Sequence, residues 1–331
     1  MKLLKLVPDH TNIHFLKWRN VAMAISILMI LGSIALVAIR GLNFGVDFAG
    51  GQMVRVEFAQ APNVDRLRDQ LSTLSDGDIS VQTFGKPTDV AIRMPLPDTS
   101  NMSATDAKAA ADRAAEQLVQ SIRRDYPDAQ VSSVDTVSGK VSGELLSTGA
   151  WSLIFAMIAI SIYIWFRFEW QFGVGALFAL FHDVALTFGF FALTQLEFNL
   201  NIVAALLTII GYSLNDTIVV YDRIRENLRK YRKMGMIELL DLSVNETLSR
   251  TVMTSLTMLL ALAALVLLGP EVIFGFSIAM FLGIFVGTYS SIYMAAPILI
   301  WLKVGPDSFL VQNDATDATP KPEDPNKGAV V

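Results

Sequence analysis

LNIVAALLTIIGYSLNDTIVVYDRIRENLRKYRK (200–233) decides the fold class, read together with LSRTVMTSLTMLLALAALVLLG (248–269). The apolar part of the first stretch is long enough to cross a bilayer as a helix. It carries Asn215 and Asp216 inside it, and the second crossing stretch opens with Arg250. A carboxylate within a membrane span costs several kcal/mol unless it is protonated, paired or wetted, so it marks a functional site by default. The alternative is a structural Asp that hydrogen-bonds a neighbouring helix.

Working outward, the same alternation of long charge-free runs with polar blocks recurs along the chain. Of 331 residues, 53% are hydrophobic and only 17% charged, with a mean hydropathy of +0.46. That excludes an ordinary soluble domain and describes a polytopic helical membrane protein. There is no cysteine, hence no disulfide framework and no thiolate chemistry.

Residues 1–20 carry Lys2, Lys5, Lys17 and Arg19 against one acid, Asp9, and the first apolar run spans 21–39. At about 19 residues it exceeds a signal-peptide h-region, and no A-x-A-like site precedes Arg40, so it reads as an uncleaved first span. Five more runs follow at 149–166, 172–193, 200–221, 251–268 and 272–302. The last is long enough to overrun the bilayer or bend. Loop 222–250 holds seven basic side chains, which places it in the cytoplasm by the positive-inside rule. Both termini are then cytoplasmic. Trp18, Trp151, Trp165, Trp170 and Trp301 all fall at span ends, where amphipathic rings prefer the headgroup layer. Residues 304–331 read as a disordered cytoplasmic tail, and 236–249 as an amphipathic connector lying along the inner surface.

The block 41–147 is different. GQMVRVEFA (51–59), DISVQTF (78–84), TDVAIRM (88–94) and AQVSSVDTV (129–137) alternate as strands, with Gly85-Lys86-Pro87 between the second and third. PNVDRLRDQLSTL (62–74) and 103–126 read as helices, the latter with Ser103 and Asp106 as a capping pair. The order β-α-β-β-α-β predicts a ferredoxin-like module. Its 10 basic and 15 acidic residues suit an exported, periplasmic position. The fold class expected is therefore a mainly α membrane protein of six transmembrane helices plus a small α/β ferredoxin-like periplasmic domain.

No enzyme signature is present: no G-x-S-x-G, H-E-x-x-H, Walker A loop or nucleotide fingerprint. Nothing points to a catalytic residue, a metal site or nucleic acid. His182-Asp183 lies in the third span, but adjacent residues point about 100° apart on a helix and chelate poorly. His10 and His14 are expected to be solvated. Asp216 lies roughly 10 Å inside the cytoplasmic boundary and Asp183 about eleven residues into its span, near mid-bilayer, at 1.5 Å per residue. Arg250 sits at the cytoplasmic edge, where it either anchors the span or reaches inward to Asp216. An Asp216–Arg250 pair would link protonation to helix packing. Asp183 is either a packing residue or part of the same device. Gly283 and Gly287 fit small-xxx-small helix packing. Asp47 is read as a turn or capping residue.

FGVDFAGG (44–51), VSGKVSGELLSTGAW (137–151), FHDVALTFG (181–189), GYSLNDTIVVYDRIREN (211–227) and LSRTVMTSLTMLLAL (248–262) together resemble the SecF type of the SecD/SecF family of bacterial protein-export membrane subunits. The resemblance runs over nearly the whole chain apart from the tail. It implies half of a resistance-nodulation-division (RND)-type bundle, completed by SecD in a heterodimer. It also implies work beside the SecYEG channel after SecA has driven insertion, with YajC and YidC as further candidate partners. The function implied is use of the proton motive force to promote late export and release of preproteins, with protons as coupling ion and no other cofactor. The family's relay positions fall on Asp216 and Arg250, with Asn215 and Asp183 nearby. Gly45, Asp47, Gly50 and Gly51 belong to its structural glycine motif. Rival readings are an RND-type small-molecule or lipid exporter half, or a passive scaffold of the translocon.

Overall fold

The computed structural model describes residues 8, 11–72, 79–84, 86–96 and 104–305. Ser103, Gly85 and the tail from 306 onward lie outside that set. Among the described residues, six helices are long and apolar enough to span a membrane: Phe15–Arg40, Gly139–Arg167, Trp170–Thr194, Leu200–Lys230, Met236–Leu268 and Phe274–Trp301. Between the first two sits the α/β module.

Helix α1 (Arg19–Arg40) follows a 3-10 turn at Phe15–Trp18. A four-residue helix, α2 (Val46–Ala49), leads into β1 (Gly51–Glu57), then α3 (Val64–Leu71), β2 (Ser80–Phe84), β3 (Lys86–Met94), α4 (Ala104–Asp125) and β4 (Gln130–Val137). The sheet order is β2-β3-β1-β4, antiparallel throughout, with Val54 opposite Ile92 and also opposite Val134. This is the split βαβ arrangement that the element order predicts. Lys86 and Pro87, expected in the turn, instead begin β3. Pro is tolerated there because it stands at the strand's start. Val54, Val56, Ile92, Leu67, Leu118 and Ile122 close the module's core.

The remaining spans are α5 (Gly139–Arg167), α6 (Trp170–Thr194), α7 (Leu200–Lys230), α8 (Met236–Leu268) and a last span in three parts. That span runs as α9 (Phe274–Ser290), a π turn (Ser291–Ala295) and α10 (Ala296–Trp301). The extra residue of a π turn re-aims side chains within an otherwise regular helix. Helices α6, α7 and the last span form the buried heart of the bundle, while α1, α5 and α8 present mostly exposed apolar faces. All five tryptophans are more than half exposed, as ring anchors at span ends should be.

Residues 236–249 do not form a separate surface helix. They continue the fifth span as the first turns of α8, with Leu239, Leu240 and Val244 buried. The reason is polar as well as apolar. Asp241 accepts from the Leu16 N–H (2.9 Å), and Asn245 both accepts from Ile13 N–H and donates to Ile13 O (each 2.9 Å). The N-terminal segment is thereby clamped onto α8. His14, expected to be solvated, is 71% exposed but has Nδ1 3.7 Å from Asp241.

Candidate functional site

Two carboxylates stand inside the bundle, and neighbouring helices supply hydroxyls to both. Asp216 accepts from Thr251 Oγ1 of α8 (2.6 Å) and from Ser291 Oγ of the π turn (2.7 Å). Asp183 Oδ2 accepts from Ser213 Oγ of α7 (2.5 Å) and Ser290 Oγ at the end of α9 (2.9 Å). Its Oδ1 lies 2.9 Å from His182 Nδ1. His182 and Asp183 are 0% and 1% exposed, and Asp216 is 9% exposed.

Local structure brings these groups together. Ser213 and Asp216 are three residues apart on α7 and so share one face. Ser290 and Ser291 are consecutive and each serves a different acid: neighbouring helical residues point about 100° apart, and the π turn begins at Ser291. Gly287 forms the floor. A Cβ there would lie 3.1 Å from Ser213 Cβ and 3.5 Å from Asp183 Oδ2, so glycine lets α9 approach α7 closely. Tyr221 holds the π turn from below by donating to Ala295 O (3.0 Å).

The expected Asp216–Arg250 ion pair is not formed among the described residues. Arg250 is exposed, and it is the next residue, Thr251, that reaches the acid. The physical reason is the helix's 100° step. Thr251 faces α7, which turns Arg250 outward. Asn215 is exposed too, on the outer face of α7. The adjacent pair His182-Asp183, expected to diverge, meets because the long imidazole reaches back to the carboxylate. Among the described residues no group of three or more His, Cys, Asp or Glu is placed to hold a metal.

The glycine motif sits at the other end of the bundle, at the joint with the α/β module. Gly50 (φ +70°) and Gly51 (φ +110°) adopt backbone that L side chains rarely take, and a Cβ on Gly51 would lie 2.7 Å from Met94 O. Gly45 donates its N–H to Phe198 O (3.0 Å) and packs against Glu197, leaving no room for a side chain. Asp47 Oδ2 accepts from Leu200 N–H (2.9 Å), placing a carboxylate at the N-terminus of α7, the helix that carries Asp216. Glu197, in the α6–α7 loop, is 3.9 Å from Arg55 of β1, which also pairs with Asp135 at 3.0 Å. Burial pushes the Glu197 carboxyl above the ordinary glutamate value. Arg55 and an Asn199 hydrogen bond oppose this, and the charges of Asp47 and Asp135 add to it. Arg93 donates to Phe44 O (2.6 Å) and Asn43 to Gln82 (2.8 Å), completing the joint.

Sequence reasoning missed the hydroxyl donors Ser213, Thr251, Ser290 and Ser291, and passed over His182. The usable signal was the cluster of Ser and Thr in apolar spans, TYSS (288–291) above all.

The architecture defines a class: a multi-pass membrane protein of six spans, with one ferredoxin-like module after the first and buried acids in the third and fourth. Residues 117–305 match the family described as "Protein export membrane protein SecD/SecF, C-terminal", and residues 35–62 match the "SecD/SecF GG Motif", which contains Gly50 and Gly51. The Rickettsia rickettsii protein translocase subunit SecF is 44% identical over 297 residues, covering 89% of this chain and 94% of that one. The Rhodobacter capsulatus protein translocase subunit SecF is 43% identical over 329 residues, covering 96% and 99%. The chain belongs to the SecD/SecF family, in its SecF branch. Among solved structures, Thermus SecDF, a translocon-associated membrane protein, is 34% identical with a TM-score of 0.80. SecDF in a super-membrane-facing form is 32% identical with a TM-score of 0.62. Each covers 89% of this chain, which spans only 39% of either solved chain.

Proposed function

We propose that this chain works with SecD in the bacterial inner membrane, using the proton motive force to promote late export and release of preproteins beside the SecYEG channel. One observation carries the reading: Asp216 is buried in a membrane-spanning bundle and held by two neutral hydroxyls, not by a cation. Such a carboxylate can take up and lose a proton without breaking an ion pair. Protons are the coupling ion, entering at Asp216, with Asp183 as its neighbour and Arg250 as the cation that approaches from the outer face in another state of the cycle. Both termini lie in the cytoplasm and residues 41–147 in the periplasm.

The solved SecDF chains are more than twice as long as the part matched here, which suits a second half packed against this one. So does the outer face of α7, where Asn201, Ala204, Thr208, Gly211 and Asn215 are all exposed. Small and polar residues on an exposed transmembrane face suit close packing by another helix, and SecD is the partner this reading gives it. Asn215 then meets SecD beside Asp216. Coupling to the module runs along α7, whose N-terminus is fastened by Asp47. YajC and YidC are further partners to look for in the same assembly.

The test replaces Asp216 with Asn and follows preprotein export in inverted vesicles with and without a proton gradient. The expected result is loss of the gradient-driven component with SecA-driven insertion intact. Undiminished gradient-driven export would refute the reading.

A further inference from the structure

Resting on the proton-coupled reading above, the geometry points to His182 as a second proton-holding residue, paired with Asp183, whose serine partners Ser213 and Ser290 stand in the chain beside Asp216 and its partner Ser291. With Asp183 ionised the carboxylate only accepts, and the hydrogen between His182 and Asp183 is then assigned to Nδ1 from its partner. That leaves Nε2 with the lone pair. Nε2 is buried and has no hydrogen-bond partner among the described residues. An orphaned acceptor in a fully buried ring is uncommon unless it has work to do.

One cation acts on this region from its edge: Arg250 of α8, exposed, lies within electrostatic reach of Asp216. On α6 the neighbour is Asp183; α7 offers Ser213 and Asp216; and the last span offers Ser290 and the Tyr289 ring, 6.1 Å away. The Tyr289 hydroxyl turns away, donating to Ala22 O and meeting Ser26 on α1. Tyr212, Tyr221 and Tyr293 are the other titratable groups within the spans of these helices. Residues 21–39, 170–194, 200–221, 251–268 and 274–301 contain no Lys or Arg, and their carboxylates are Asp183 and Asp216 alone. A proton arriving on Nε2 therefore makes an imidazolium whose counter-charge is Asp183, already in place at 2.9 Å.

The step balances without any co-reactant. An N–H bond forms at Nε2. On relay, the Nδ1–H bond breaks and an O–H bond forms at Asp183 Oδ1, returning the ring to neutrality. The proton stays on Asp183, and Asp216 feels the change through the elements the two acids share. Ser290 has one hydrogen and two acceptors in reach, Asp183 Oδ2 (2.9 Å) and Gly287 O (3.1 Å). Ser291 is placed alike between Asp216 Oδ2 (2.7 Å) and Thr288 O (3.1 Å). A proton on Asp183 Oδ1 leaves Oδ2 an uncharged acceptor, which weakens the bonds it takes from Ser213 and Ser290. Ser213 lies three residues before Asp216 on α7 and Ser290 directly precedes Ser291, so a looser grip on Asp183 acts on the same two helices that hold Asp216.

The chain has three histidines, and His10 and His14 lie outside the spans. The experiment uses ¹⁵N-histidine NMR on the full chain assembled with SecD in bilayers, titrated from about pH 5 to 8. Expected is a protonation signal at His182 Nε2 whose midpoint is displaced in Asp216→Asn. A ring neutral throughout, or a midpoint indifferent to Asp216→Asn, overturns the proposal. In parallel, His182→Asn keeps a donor toward Asp183 but cannot take a proton. It should cut gradient-driven export by at least about tenfold and collapse its pH profile to a single titration. An unchanged profile overturns the proposal as well. Should His182→Asn not insert, the titration of the native sequence decides. Export still proton-driven in Asp216→Asn sinks the parent reading, whereas a silent His182 beside an inactive Asp216→Asn sinks this one alone.

Discussion

Glu197→Gln isolates the electrostatics of the joint between the bundle and the α/β module. Glu197 is mostly buried, and burial is the largest influence on its carboxyl, raising it above the ordinary glutamate value. The folded state therefore binds the Glu197 proton more tightly than the unfolded chain does. Between the ordinary value and the raised one, native protein holds more protons than unfolded. Stability accordingly falls as pH rises through that window, and the full cost persists above it. Each unit of upward displacement corresponds to about 1.4 kcal/mol. Against this stands the attraction of Arg55, which at 3.9 Å and in partial solvent is worth about 0–1 kcal/mol. Arg55 would not be orphaned by the change, because Asp135 stays 3.0 Å away. A neutral isostere should thus stabilise the joint at neutral pH by about 1 kcal/mol, or roughly five- to tenfold in opening. Three amides report that opening directly: Gly45 and Phe198, which bond across the joint to Phe198 O and Asn43 O, and Leu200, which bonds Asp47. Hydrogen exchange, corrected for intrinsic rates, should show their protection in the native sequence weakening from pH 5 to 7.5. In Glu197→Gln it should be flat and higher at pH 7.5. Equal or faster exchange in the variant at pH 7.5 would refute the reasoning, and so would a retained pH slope.

Two further predictions concern the same end of the molecule. Gly51→Ala forces an L side chain to φ +110° with its Cβ against Met94 O, which should cost about 1–3 kcal/mol and show as protease sensitivity of the module. Gly139→Ala, with nothing within 4 Å and an ordinary φ, is the control and should leave sensitivity unchanged. Asp47→Ala removes both a hydrogen bond and a negative charge from the start of α7, for a loss of about 1 kcal/mol. Faster exchange confined to the first turn of α7 would confirm it, and unaltered protection there would count against the capping role.

The spans were legible because a bilayer admits few solutions: an apolar run of the right length must be a helix, whatever it packs against. The module was legible for a related reason, since the alternation in 51–59 and 88–94 marks strands, and the βαββαβ order leaves few topologies. Asp216 was visible as a charge in the wrong solvent. Its partners were not, because hydroxyls three or four residues apart look alike on every face of a helix. Only packing chose Thr251 over Arg250. Only the π turn, a one-residue irregularity with no strong sequence mark, gave Ser290 to one acid and Ser291 to the other. Residues 236–249 were misjudged as a connector because amphipathicity reports one apolar face without saying whether lipid or protein covers it. Asp47 looked local, yet it caps a helix 153 residues further on. The amino-acid order thus determined what each segment must be in its solvent. Which side chains meet depended on helix rotation and approach, and those are set by the sum of many contacts that no single stretch contains.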